Sequence, residues 1–446
     1  MRWFTLVQLA HFPLCPMGIG RRLRLTCTGG SARAGTTEKA ADMARKTSSR
    51  ARIAFVTPRY GPGVVGGSEA VMAEAAHGLA GRGHEVEILT TCARSHFSWA
   101  NEFDDGNYED LGVVVRRFPT VTGGRRLTAA SLEHRVRGGE RLSPAAEIAW
   151  VNSRFRVPEL YLYLLAEGRR YDAIVLSPYL FWTTIFGAQV APERSVVMPC
   201  LHDEPYARLS IVRSVLASVA AVWFLSEPEH LLGHRLAPDL APRHAVVGAA
   251  VEAPDSYDPA GFRKTHGLTR PFVLFAGRRE GGKGWRELLS AYGAAIVGND
   301  AAFDLVTVGV GAPDIPAGFD GRVIDLGYLE ADEMPNAFAA AAALVQPSAN
   351  ESFSRTVMEA WLAGTPVIAS AAGEVVAWHL ERSGGGLTYS DELEFAQCLR
   401  FLAQAPRAAA VLAARGREYV LANYTWEIVL DSMERSLVGL TGRRTR

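Results

Sequence analysis

The sequence predicts an α/β protein of two doubly wound, Rossmann-like domains, and three observations carry that reading. Short apolar runs recur with helical segments between them, and runs such as IAFV (53–56), FVLFA (272–276) and LVTV (305–308) are apolar throughout. Unbroken apolarity, rather than alternation, marks parallel strands covered on both faces and joined by right-handed crossovers. The runs fall into two sets, divided by Glu252–Pro271, a stretch with three prolines and little apolar periodicity. The length of 446 residues gives room for two to three domains, at roughly 150 residues each.

Residues 1–50 carry nine Lys/Arg against Glu38 and Asp42, a net of +7. That composition fits a flexible tail and is shared by organelle transit peptides. It is a weak match to a signal peptide, because Arg2 alone charges the start and His11, Pro13 and Pro16 interrupt the apolar stretch. A product beginning at Met43 is expected to fold and work. Residues 51–252 form the first domain, with strands at Arg52–Thr57, Glu85–Thr91, Val113–Phe118, Ala173–Ser177, Ser195–Leu201, Ala221–Leu225 and Ala245–Val251. Residues 253–270 read as a linker. Residues 271–424 form the second domain, with strands at Phe272–Ala276, Leu305–Val308, Val323–Leu326, Ala343–Gln346 and Pro366–Ala369. Residues 425–446 close the chain with a helix whose apolar stripe is Val429, Met433, Leu437 and Leu440.

Composition narrows the function. Lys+Arg and Asp+Glu both number 47, for a net charge of 0, whereas a dedicated nucleic-acid binder carries a basic excess. The five Cys, at 15, 27, 92, 200 and 398, are scattered without C-x-x-C. That argues against a disulfide scaffold and a cysteine zinc site and fits a reducing, cytoplasmic setting. No run of 18 apolar residues is present, so no transmembrane segment is expected.

In open parallel sheets ligands bind beyond the carboxyl ends of the strands, so the loops there hold the candidate chemistry. Gly277–Gly284 (GRREGGKG) follows FVLFA. Its glycines let backbone N–H groups approach an anion, and Arg278 and Lys283 add positive charge suited to a diphosphate. It is not a Walker loop, since Gly284 stands where Ser or Thr is needed. A solvated turn is the competing reading. Asn350–Glu359 (NESFSRTVME) follows ALVQP and opens a helix. Ser352 or Ser354 suits the N-cap, and the first-turn amides near Ser354, Arg355 and Thr356 would face a phosphate. Glu351 lies before the helix and Glu359 about two turns inside, where carboxylates accept from sugar and ribose hydroxyls. Ser370–Glu374 either closes over a small ligand or simply connects.

In the first domain, Gly61, Gly63 and Gly66 spell G-x-G-x-x-G, but Pro58–Tyr60 intervene and no acid ends the next strand. The dinucleotide match is therefore coincidental, which disfavours a nicotinamide enzyme, while Gly66-Gly67 still lead into a helix with free amides. His202, at a strand end, is either structural or in reach of a substrate hydroxyl. His202-Asp203-Glu204 point to different faces, and His230 and His234 lack a third ligand at a recognisable spacing, so no metal site is read. Arg125, Arg126, Arg135, Arg137 and Arg141 suit a solvated face or peripheral contact with the inner membrane face.

These residues resemble the retaining glycosyltransferases of family 4, which have the GT-B fold of two Rossmann-like domains facing across a cleft. FAGRREGGKG is similar to that family's G-R-x-x-x-x-K-G loop, and ESFSRTVMEAWLAGTPVIAS to its E-x7-E segment. GYLEADEMPNAFAAAAALVQPS, GGSE and HDE also correspond, so the resemblance runs over about 51 to 437. It implies transfer of a sugar from a nucleotide-diphosphate sugar to a carbohydrate or lipid-linked acceptor, with retention and without an essential metal or cofactor. Arg278 and Lys283, in the loop from Gly277, would hold the diphosphate. Glu359 would bind the ribose, Glu351 the transferred sugar, and His202 would lie beside the reacting sugar. Gly66, Gly67 and the amides of Ser354, Arg355 and Thr356 would complete the phosphate cradle. Ser354 departs from the Gly of many members, and Gly281-Gly282 replaces a common Pro-Glu. A non-catalytic sugar-nucleotide module, an epimerase and a disaccharide synthase remain as readings on the same fold.

Overall fold

The computed structural model describes residues 50–441, apart from 65, 123–125, 280, 299–301 and 320. The basic leader, the Met43 start and Arg125 lie outside the described residues. Strands β1 (Arg52–Val56), β2 (Glu85–Thr91), β3 (Gly106–Asp110), β4 (Val113–Phe118), β5 (Ala173–Leu176), β6 (Ser195–Val197), β7 (Ala221–Phe224) and β8 (His244–Val246) form one sheet. Its order is β3-β4-β2-β1-β5-β6-β7-β8, and β3 alone runs antiparallel to its neighbour. Strands β9 (Phe272–Ala276), β10 (Asp304–Val308), β11 (Val323–Asp325), β12 (Ala343–Gln346), β13 (Val367–Ser370) and β14 (Gly386–Tyr389) form the second, in the order β11-β10-β9-β12-β13-β14.

The unbroken apolar runs sit where both faces are covered. Ile53 and Phe55 of β1 enter one buried cluster and Ala54 and Val56 another. Leu274 of β9 faces one side of the second sheet, and Val273 and Phe275 the other. Two strands escape the sequence pattern. β3, GNYED, is a polar edge strand, and β14, GLTY, is short and only half buried. β6 ends at Val197, earlier than the seven-residue run suggests. The chain turns there through Pro199 and through Cys200, whose φ is +55°.

The stretch between the sheets carries a helix, Pro259–Thr265, that packs on the second-sheet helix Met334–Ala340. Asp258 caps it and takes a backbone hydrogen bond to Asn336 Oδ1 (2.7 Å). The final helix, Trp426–Thr441, lies against the first domain. Its Val429, Leu430, Met433 and Leu437 are buried, each contributing roughly 1.5–3 kcal/mol by leaving water. Arg82 reaches Asp431 and Glu434, both at 2.6 Å, and Trp223 Nε1 donates to Ser436 Oγ (2.8 Å). No helix among the described residues is long and apolar enough to cross a membrane.

Strand order places the site. Ligands collect where neighbouring strands send their connections to opposite sides. In the second sheet that point lies between β9 and β12, which pair directly. The loops leaving those two strands are Gly277–Gly284 and the one that leads to the helix Arg355–Leu362. In the first sheet it lies between β1 and β5, beside the glycine loop that opens the helix Gly67–Gly81.

Candidate functional site

The two second-domain loops are held against each other by backbone geometry. Gly284, with φ +70°, precedes the helix Trp285–Val297, and a Cβ there would stand 2.5 Å from the Pro347 carbonyl oxygen. Both the left-handed conformation and the close approach require glycine. Ser348 Oγ adds a hydrogen bond to the Gly282 carbonyl (3.3 Å). The third loop joins from the side, where a Cβ on Gly373 would meet the Ser348 oxygen at 2.5 Å. Its Glu374 faces Arg235 of the first domain at 3.5 Å.

Across this seam Lys283 Nζ donates to Glu351 Oε1 at 2.7 Å, with the carboxylate side chain only 12% exposed. The diphosphate-binding and sugar-binding candidates are thus the two halves of one ion pair. Burial pushes the Glu351 carboxyl up, but the Lys283 charge and hydrogen bond, together with His202 and Ser348, outweigh it. The net direction is below the ordinary carboxylate range, so Glu351 is held ionised. Arg279, next to Arg278, is structural. Its guanidinium donates to Thr307, to the carbonyls of Gly309 and Gly311 (both 2.8 Å) and to Asp325, fixing the loop to the ends of β10 and β11. Arg278 instead reaches across the cleft, its Nη1 3.5 Å from His96 Nε2.

The helix after Glu351 begins at Arg355, with Ser354 at the N-cap position. Ser354 makes no side-chain cap and adopts φ +71°, ψ +76°. This left-handed conformation explains why glycine suits the position. A serine there is strained by about 1 kcal/mol or more, and Gln346 Nε2 holds its Oγ at 2.9 Å. With no side-chain cap at the N-cap, the first-turn amides of Arg355 and Thr356 are left without that partner, an arrangement that suits an anion. Glu359 lies one turn into the helix, not two, in register with Arg355 (3.4 Å). Burial is the main cause that raises the Glu359 carboxyl; Arg355 opposes it and Glu74 adds to it.

The first domain contributes from two places. Gly66 stands at the N-cap of Gly67–Gly81, also without a side-chain cap, and a Cβ on Gly67 would meet nothing within 4 Å. A Cβ on Gly61 or Gly63 would strike Arg117 Nη2 or Arg94 Nη2, at 2.6 and 2.2 Å. Those two glycines therefore pack under arginines instead of cradling a ligand. His202 follows β6, coupled electrostatically to Glu351 and with its Nδ1 3.7 Å from Glu204 Oε1. Asp203 pairs with Arg208, while Glu204 accepts from Tyr179 Oη (2.6 Å).

Four residues to which the sequence reading gives no role complete the arrangement. Glu74 pairs with Arg355 across the cleft at 2.6 Å. Arg59 and Glu69 form a buried ion pair under the glycine loop, with Arg59 Nε 2.9 Å from Glu69 Oε1. Glu229 is fully buried and accepts from the amides of Leu201 (2.7 Å) and Leu225 (2.6 Å), fixing the backbone just before His202. Burial pushes its carboxyl up to about 8 against those backbone donors. A signal for it existed, because Ser226-x-x-Glu229 is a capping box. Ser226 Oγ also donates to the Ser352 carbonyl (2.8 Å), joining this first-domain turn to the Glu351 loop. In the first domain, Arg135 pairs with Glu140 (2.7 Å) and Arg137 with Glu133 (2.9 Å), so these two members of the basic cluster carry their own counter-charges.

Residues 270–405 match the family model of the glycosyl transferases group 1. A 2-deoxystreptamine glucosyltransferase of Streptomyces kanamyceticus is 29% identical over 240 residues, 46% of this chain and 61% of that protein. A D-inositol 3-phosphate glycosyltransferase of Salinispora tropica is 36% identical over 112 residues, 25% of this chain and 23% of that protein. The chain thus spans less than two thirds of the length of these relatives. Among solved structures, a sucrose-phosphate synthase from Thermosynechococcus elongatus superposes with a TM-score of 0.68 at 19% identity, over 88% of this chain and 100% of that one. HepE from Anabaena, in complex with UDP-glucose, gives 0.64 at 17% identity, over 87% and 100%. Two Rossmann-like domains facing a cleft, with the last helix returned to the first, are the GT-B architecture, and this chain has that fold.

Proposed function

We propose that this chain transfers a sugar from a nucleotide-diphosphate sugar to a carbohydrate or lipid-linked acceptor, with retention of anomeric configuration, as a family 4 enzyme does. The observation that carries the reading is the half-buried Lys283–Glu351 pair at the second sheet's switch point, beside an uncapped helix start and within electrostatic reach of His202. The matched segment 270–405 contains every donor-side residue of that domain, and the named relatives are sugar transferases.

In this mechanism Lys283, Arg278 and the helix N-terminus at Arg355 stabilise negative charge developing on the leaving diphosphate. That positive charge comes from the chain itself, so the transfer is proposed to need no metal. Glu351 orients the sugar by accepting from its hydroxyls, and Glu359 does the same for the ribose. His202 donates to a hydroxyl of the reacting sugar. Attack comes on the face the diphosphate leaves, and the departing phosphate oxygen takes the acceptor proton. The cleft limits access of water, which would otherwise hydrolyse the donor.

The test is a thermal shift with UDP, GDP, ADP and NAD, each with and without EDTA. One nucleoside diphosphate is expected to raise the melting midpoint by an increment that EDTA leaves unchanged, which also names the donor's base. No increment with any nucleotide would overturn the transferase reading.

A further inference from the structure

Away from the cleft, folding brings together three histidines that the sequence keeps apart. His230 and His234 lie one turn apart on the helix Glu227–Leu236, and His244 opens β8, the edge strand of the first sheet. A ligand nitrogen from each lies within 4.8 Å of the others. His230 Nε2 and His234 Nε2 are 3.1 Å apart, close to the roughly 3.3 Å expected between imidazole nitrogens sharing a tetrahedral zinc at ~2.0–2.1 Å. The rings of His230 and His234 each lie with centroids 4.9 Å from that of His244.

From this geometry we propose a divalent transition-metal site, of the zinc class, with three imidazole ligands. Two of the ligands already have the outer partners such sites use. His230 Nδ1 faces Glu227 Oε1 at 3.2 Å, and His244 Nδ1 faces the Ala241 carbonyl at 3.2 Å. A proton on each Nδ1 would leave Nε2 free to coordinate, as carboxylate and carbonyl partners do for metal-bound histidines. His234 and His244 are exposed, so water fills the fourth position. Because β8 starts at His244, the site sits at the amino end of a parallel strand, opposite the carboxyl ends that line the cleft. Its role is structural. It staples a three-residue edge strand, otherwise paired only to β7, to the helix that carries Ser226 and Glu229 at its start.

The test uses the full chain, stripped with EDTA, desalted and titrated calorimetrically with zinc, then with cobalt to read its visible spectrum. One equivalent of zinc is expected to bind and raise the melting midpoint, and cobalt is expected to give tetrahedral absorption bands. His244→Ala should weaken zinc by at least ~10-fold and abolish the cobalt bands, and Glu227→Gln should weaken zinc by ~10-fold. His134→Ala, on another exposed helix, should change neither. The absence of stoichiometric binding would overturn the site. So would binding that survives intact in His244→Ala, since the helical pair alone would then explain it. The nucleotide-induced increment does not enter this readout, so failure of the transferase reading leaves the metal site standing, and the reverse.

Discussion

Lys283→Ala separates a donor site from a structural ion pair. Lys283 faces Glu351 at 2.7 Å, and the carboxylate is 12% exposed. Removing the ammonium leaves a buried charge without its partner, so the Glu351 carboxyl should move up from its lowered position. If Lys283 also holds the diphosphate, the variant loses one preorganised charge contact, about 2.7–4 kcal/mol, or roughly 100-fold or more in affinity and in transfer. A nucleoside diphosphate at 100 times its dissociation constant stabilises the wild type by about 2.7 kcal/mol. The same concentration would then only equal the variant's dissociation constant, and the gain falls to about 0.4 kcal/mol. Arg50–Arg446 is one unit of close to 400 residues. At about 2.1 cal/mol/K per residue, those gains correspond to shifts of about 3 °C and about 0.5 °C. The assay is differential scanning fluorimetry of each protein with and without nucleotide, each compared with its own nucleotide-free midpoint. That comparison removes any fall in baseline stability. An equal shift in the two proteins would show that Lys283 does not touch the diphosphate and would withdraw it from the site.

Three further outcomes are expected. Glu351→Gln should lower transfer by ~100-fold or more while keeping most of the nucleoside diphosphate shift, because its proposed partner is the sugar; near-normal product formation would remove it from the site. Gly284→Ala forces a left-handed alanine and places a Cβ 2.5 Å from the Pro347 oxygen, so urea denaturation should show a loss of roughly 2–4 kcal/mol. His379 is fully buried, and burial, with Arg382, lowers its ring from 6.5 to about 3. The unfolded chain then binds the extra proton between those two values. The stability from this residue is therefore complete above pH 6.5 and falls as pH drops to 3, by on the order of 5 kcal/mol. His379→Gln should flatten that part of a stability–pH curve.

Legibility in the sequence followed periodicity and local motifs. IAFV and FVLFA announced themselves because both faces of their strands are covered. GNYED did not, because an antiparallel edge strand needs no apolar face. The loops around Lys283 and Glu351 were readable because glycines and charges cluster at a strand end, and the structure joins them by an ion pair. Glu74 was not, since nothing local to the helix Gly67–Gly81 marks one glutamate as the partner of Arg355. His244 was missed for the same reason: ten residues and a change of element separate it from His234, and only the edge pairing of β8 with β7 brings it back.

The placement of Ser354 shows why the donor loop cannot be understood from the second domain alone. A serine at φ +71° carries strain that must be held by its neighbours. Gln346 holds it from within the domain. Two nearby residues are held from the other domain, Ser352, two positions before, through its carbonyl by Ser226, and Arg355, directly after, through its guanidinium by Glu74. Ser226 in turn opens the helix whose Glu229 fixes the backbone leading to His202. Of the contacts around the groups proposed to bind diphosphate and sugar, Ser226–Ser352 and Glu74–Arg355 join the two domains, whereas Lys283–Glu351 lies within the second. Both of these inter-domain contacts flank the strained turn, which Gln346 also holds from within its own domain. The short segment Glu351–Arg355 thus carries both of these contacts to the first domain, and it is also where the sequence carries its densest chemistry.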